Sequence, residues 1–308
     1  MISLLRFYLP GKGARLGCRL DETVYDVTAL DGSLASWLKA SVGRIPQAIA
    51  DLTAHAAQAP TSLQIPFSQL DEASAAGMAS KLARGGEAYL LPPVDYQEVW
   101  AAGVTYERSR LARQAEAVDG GDVYARAYAA GRPEVFYKAA SRHVVGPYDH
   151  VGIRSDSAWS VPEPELAVVL NPQLQVVGFT VGNDMSSRDI EGANPLYLPQ
   201  AKIYTASCAL GPEIVLLPSR EWPDATISME VRRGGSVEFR GEVHTQRIRR
   251  SIPDLLSYLG RCYTFPEGVV LLSGTGIVPP DDFKLEPDDL IDILIDGIGR
   301  LINPVKVV

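Results

Sequence analysis

Residues Trp159–Ala206 read WSVPEPELAVVLNPQLQVVGFTVGNDMSSRDIEGANPLYLPQAKIYTA. Prolines 162 and 164 hold the backbone extended around Glu163 and Glu165, so two carboxylates two residues apart project from one face. An apolar run, Leu166–Leu170, a turn at Asn171-Pro172 and a second apolar run, Val176–Val181, predict two paired strands, the second ending at Asp184. That return brings Asp184 back beside the glutamates. Three carboxylates on one point repel one another and raise the pKa of at least one, unless a hard divalent cation sits among them. The stretch is therefore a candidate magnesium or manganese site, its oxygen donors arguing against zinc. By spacing alone, Glu163 and Glu165 also suit the solvent face of an ordinary strand.

The whole chain, 308 residues with 46% hydrophobic and 21% charged side chains, suffices for one large globular domain or two. A net charge of −8 argues against nucleic acid or an anionic membrane as partner and leaves small molecules as the expected ligands. Cys18, Cys208 and Cys262 are odd in number, far apart and outside any CxxC spacing, which supports neither a disulfide framework nor a thiolate zinc site and fits a reducing cytoplasm. The opening MISLLRFYLPGKG lacks the pattern of a secretory signal, and no run approaches the ~18 apolar residues of a membrane span.

Along the chain, Ile2–Tyr8 and Arg19–Val27 predict strands joined by a glycine-rich turn over Gly11–Gly17. A helix capped by Asp31 follows through Trp37, then another over Pro46–Ala57. The glycines lack the lysine-hydroxyl ending of a phosphate loop. Leu91-Pro92-Pro93 is the expected boundary between a small N-terminal α/β domain, 1–91, and a second domain, 92–308. Val99–Val104 reads as a strand leading to Tyr106. Polar helices over Glu107–Ala117 and Val123–Ala130, broken at Gly120-Gly121, read as a lid or a plain surface hairpin. Glu134 stands at the entry of a strand, Val135–Lys138, whose Lys138 reads as a surface lysine. Arg188 and Lys202 bring two cations near the anionic centre. Further strands are expected around a Gly234-Gly235 hairpin, at Val269–Leu272, Asp288–Ile295 and Arg300–Val307, with one helix over Ile252–Leu259. The loop Ser273-Gly274-Thr275-Gly276 offers backbone N–H groups as a carboxylate nest. Few helices and many short strands predict a β-rich α+β fold built on rolled sheets, with no βαβ parallel sheet.

The strings PEPELAVVLN, GNDMSSRDIEGANPLYLPQAKIY and SGTGIVP resemble the fumarylacetoacetate hydrolase superfamily. That resemblance implies a catalytic mixed β-roll with a smaller N-terminal domain, a homodimer, and a divalent ion held by Glu163, Glu165 and Asp184. It also implies an active-site role for Lys202 and substrate contacts from Arg188, Gly274 and Thr275. More narrowly, GVTYERSRLAR, RPEVFYKA, RSDSAWSVPEPELAVVL and NPLYLPQAKIY are similar to a 2-keto-3-deoxy-D-arabonate dehydratase branch, from about Leu91 to the C-terminus. This similarity implies a catalytic Glu134, Tyr106 on substrate, and a lid over 107–130.

Four histidines serve the chain, and none lies in the segment ERSRLARQAEA, where hydrolases of the superfamily carry a water-activating histidine. Hydrolysis needs such a base. The expected activity is thus metal-dependent dehydration of a 2-keto-3-deoxy sugar acid to 2,5-dioxopentanoate and water, in sugar-acid catabolism, with Lys202 and Glu134 moving protons. An acylpyruvate-type hydrolase or oxaloacetate-type decarboxylase on the same site is the alternative. An inert sugar-acid binding protein is disfavoured, because a binder has no need of carboxylates that repel its own acidic ligand.

Overall fold

The computed structural model describes residues 1–80, 86–108, 111 and 129–308. Its central sheet carries seven strands that position the site: β1 (Ile2–Leu9), β2 (Glu98–Gly103), β3 (Glu134–Ala140), β4 (Pro164–Leu170), β5 (Val176–Asp184), β6 (Cys208–Val215) and β7 (Val269–Leu272). They lie side by side in the order β1-β6-β5-β4-β7-β2-β3. The two apolar runs pair antiparallel as expected, Leu166 opposite Val181 and Leu170 opposite Val176. Their turn closes with the Asn171 N–H on the Gln175 carbonyl at 3.1 Å and the Leu174 N–H on the Asn171 carbonyl at 2.8 Å.

Every residue of β4 and β5 is buried, because both faces of the sheet are covered. Alternation along the strands divides their side chains between two cores. Leu166, Val168, Phe179 and Val181 pack with Ile227, Met229, Ile291 and Ile293 of a second, five-stranded sheet. Ala167, Val169 and Val177 pack with Trp37, Leu38 and Leu52 of the N-terminal helices. Each fully buried large apolar side chain contributes about 1.5–3 kcal/mol, and this two-sided burial supports the charged groups at the strand ends.

The N-terminal residues extend the same sheet. β1 pairs with β6, and strands Gly13–Leu20, Thr23–Asp26 and Gln64–Pro66 continue beyond it, so the sheet runs across the Leu91–Pro93 connector. Three local expectations change here. The glycine-rich turn is shorter, since Gly13 and Gly17 belong to a strand, and Arg19–Val27 breaks in two at Asp21, whose φ is 52°. Ser33, not Asp31, caps the helix Leu34–Ala40 by accepting the Ser36 N–H at 3.1 Å. Distant Asp95 accepts the Leu34 N–H of the same helix at 2.8 Å, a partner that local sequence cannot reveal. The Gly234-Gly235 hairpin, the helix Ile252–Leu259 and β7 fall where expected. The two-helix lid over 107–130 lies almost wholly outside the described residues. No helix among the described residues is long and apolar enough to cross a membrane.

Phe179, fully buried on the face shared with the second sheet, tests this two-core arrangement. Phe179→Ala is expected to cost about 3–5 kcal/mol in urea unfolding, and a loss below about 1 kcal/mol contradicts the packing described.

Candidate metal centre

The β4–β5 register makes the site. Pro164 lies opposite Asn183, and the Asp184 N–H donates to the Glu163 carbonyl at 3.0 Å, so Glu163 and Asp184 face each other while Glu165 stands one alternation along. One oxygen from each of Glu163, Glu165 and Asp184 lies within 4.8 Å of the others, and all three residues are buried. Two carboxylates at that separation repel by about 3 kcal/mol or more at an effective dielectric of ~20. The Glu165 carboxyl is accordingly held well above the usual carboxylate range, by burial first and then by the charges of Asp184 and Glu163. A donor set of three hard oxygens without sulfur or imidazole fits magnesium or manganese. Among the described residues no other group of three potential ligands converges in this way.

Three cations frame the trio. Lys202, ending the helix Leu198–Lys202, sets its Nζ 2.9 Å from Glu163 Oε1 and 3.2 Å from Asp184 Oδ2. Arg188, first residue of the helix Arg188–Ala193, approaches Glu163 Oε1 to 3.6 Å. The third is Lys138, and it corrects the reading of a surface lysine. Its side chain is fully buried, with Nζ 2.5 Å from Asp184 Oδ1 and donating to the carbonyls of Met185 at 2.9 Å and Lys202 at 2.5 Å. The missed signal was alternation: Glu134, Phe136 and Lys138 share one face of β3, and the first two line the same cleft. Glu191 was missed as well. It is buried, lines the cleft and accepts the Ser186 hydroxyl at 2.9 Å.

The loop after β7 completes the wall. Gly274 donates its N–H to Glu165 Oε2 at 2.5 Å. Its φ of +85° lies in the left-handed region, and a Cβ there would fall 2.2 Å from Thr105 Oγ1 and 2.7 Å from the Ala102 carbonyl, so only glycine fits. Thr275 is buried beside it, its hydroxyl accepting the Ile277 N–H at 3.2 Å. Seven of the residues selected from sequence, Glu134, Glu163, Glu165, Asp184, Lys202, Gly274 and Thr275, line one cleft. Arg188 reaches it through Glu163. Tyr106 packs behind Gly276, with its hydroxyl buried and without a hydrogen-bond partner among the described residues. Burial, then the charge of Glu165, pushes the Tyr106 hydroxyl pKa upward.

Residues 98–306 match the protein-family model for the fumarylacetoacetate (FAA) hydrolase C-terminal region. The chain is 42% identical over 295 residues, 96% of each chain, to a Haloferax volcanii protein described as "Probable 2-keto-3-deoxyxylonate dehydratase". It is 44% identical over 218 residues to 2-dehydro-3-deoxy-D-arabinonate dehydratase of Saccharolobus solfataricus, covering 70% of this chain and 73% of that one. A solved structure described as 2-keto-3-deoxy-D-arabinonate dehydratase complexed with magnesium and 2,5-dioxopentanoate superposes with a TM-score of 0.79 at 32% identity, covering 99% of both chains.

Two outcomes test the electrostatics. Lys138→Met removes one of the two buried ammonium partners of Asp184 and leaves Lys202 to serve both Glu163 and Asp184, so the chelated protein is expected to lose about 3 kcal/mol in urea unfolding, and an unchanged midpoint refutes the pairing. Because the Glu165 pKa is raised by folding, the chelated protein is expected to lose stability as pH climbs from the ordinary carboxylate value through that raised one. Magnesium takes only the ionised carboxylate, so its stabilising shift in melting temperature is expected to grow with pH over the same window. A shift independent of pH contradicts the assignment of Glu165 as a ligand.

Proposed function

The chain belongs to the fumarylacetoacetate hydrolase family, and from that premise we propose that it is a magnesium-dependent dehydratase of a 2-keto-3-deoxypentonate. The observation that carries this reading is a buried three-carboxylate centre with Lys202 and Glu134 on the same cleft, in a chain similar over most of its length to named dehydratases. Arabinonate and xylonate of one D or L series differ only at C2 and C3. Oxidation at C2 and deoxygenation at C3 remove both centres, so the two relatives' names describe a single keto acid when C4 has the same configuration.

Glu163, Glu165 and Asp184 would hold the ion. Bound there, magnesium supplies polarisation of the C2 carbonyl, which acidifies the C3 protons. Lys202 and Glu134 are the groups able to take the C3 proton and to protonate the departing C4 hydroxyl, and either order gives water and, after rearrangement at C5, 2,5-dioxopentanoate. Arg188, Tyr106, Gly274 and Thr275 are assigned to the substrate, with the Gly274 N–H also fixing Glu165. Two lysines and an arginine offset the three ligand carboxylates, which leaves the charge of the ion to face an anionic keto acid beside Glu134 and Glu191. ERSRLARQAEA contains no histidine to activate water, which favours dehydration over C–C hydrolysis. Superfamily resemblance supports a homodimer, and three free cysteines fit a reducing cytoplasm.

Purified protein with magnesium is expected to release an aldehyde product from 2-keto-3-deoxypentonate and to leave acylpyruvates and oxaloacetate essentially unchanged. Chelation is expected to abolish turnover, and Glu134→Gln to lower kcat by about 10²- to 10⁴-fold with little change in KM. Rapid acylpyruvate cleavage without dehydration of the sugar acid would replace this reading with the hydrolase one.

A further inference from the structure

Glu134 lies on β3, the edge strand of the central sheet, and the carboxylate trio stands at the ends of β4 and β5. Lys138, farther along β3, reaches Asp184 directly, whereas the Glu134 side chain lies over the end of β2. Gly103 is the last residue of β2 and lies directly opposite Glu134 in the antiparallel register.

We infer that Gly103 is a positioning residue whose missing side chain admits the Glu134 carboxylate to the cleft, an inference that rests on the proton-transfer role proposed for Glu134. A Cβ at position 103 would fall 2.1 Å from Glu134 Oε2, 2.5 Å from its Cδ and 3.1 Å from its Cγ. The Glu134 side chain therefore fills the volume that any other residue at 103 would occupy. Backbone conformation does not require this glycine, because Gly103 is absent from the residues with positive φ. The three atoms nearest the added Cβ all belong to the flexible Glu134 side chain, so a methyl group is accommodated by moving that one group. Gly274, at the end of β7, differs on both counts, since its φ is left-handed and a Cβ would strike the Ala102 carbonyl. The two strands between β3 and β4 thus each present a glycine at the cleft. One holds a metal-centre carboxylate by its N–H, and the other clears a path for Glu134.

Gly103→Ala is the test, read by crystal structure and by kinetics on the full-length magnesium-loaded protein. The variant is expected to fold and bind magnesium as wild type does, with Glu163, Glu165 and Asp184 in place and the Glu134 carboxylate displaced by about 1 Å or more. Its kcat is expected to fall ~10²-fold at unchanged KM, and the double variant Gly103→Ala/Glu134→Gln to be no slower than Glu134→Gln alone. A Glu134 carboxylate that stays in place, or losses that multiply in the double variant, overturns the inference. If wild type turns over no 2-keto acid, the proposed function fails, and the Glu134 position in the variant structure still decides the role of Gly103.

Discussion

Three carboxylates held within 4.8 Å of one another in a protein interior cannot all stay ionised without compensation, and the architecture of this molecule follows from that constraint. Burial strengthens each pairwise repulsion and each attraction to a cation. Compensation comes from Lys138 on the sheet edge, from Lys202 and Arg188 on short helices after β5, and from the N–H of Gly274 after β7. Chain segments around residues 138, 163–202 and 274 must therefore meet at one end of the sheet. The apolar strands β4 and β5, covered on both faces, are the rigid base on which they meet.

Lys138 ties these parts together. Its ammonium joins Asp184 to the carbonyls of Met185 and Lys202, so one buried side chain links the end of β5 to the helix that carries the second lysine. Losing it would loosen Asp184 and the helix of Lys202 at once. Surface ion pairs such as Arg240 with Glu230 do no comparable work, because solvent screens them.

Much of this was legible in the sequence where one physical signal dominated. Proline-enforced extension and two uninterrupted apolar runs revealed the β4–β5 hairpin and hence the convergence of Glu163, Glu165 and Asp184. What escaped depends on distant partners. Lys138 looks like any strand lysine until β3 is placed on the edge facing Asp184, and Glu191 resembles a solvent-facing helix acid until the Ser186 hydroxyl closes on it. Gly274 was legible as a loop glycine, but its tie to Glu165 required the fold. The N-terminal strands were recognisable one by one, whereas their addition to the central sheet through the β1–β6 pair is a long-range event with no local mark.

If Glu163, Glu165 and Asp184 form one divalent-cation site, calorimetric titration of chelated protein with magnesium, alongside Asp184→Asn, will show it. The expected result is one ion per chain for wild type, with proton release on binding, and no measurable binding for the variant. Wild-type affinity in Asp184→Asn, or no binding by wild type, would contradict it.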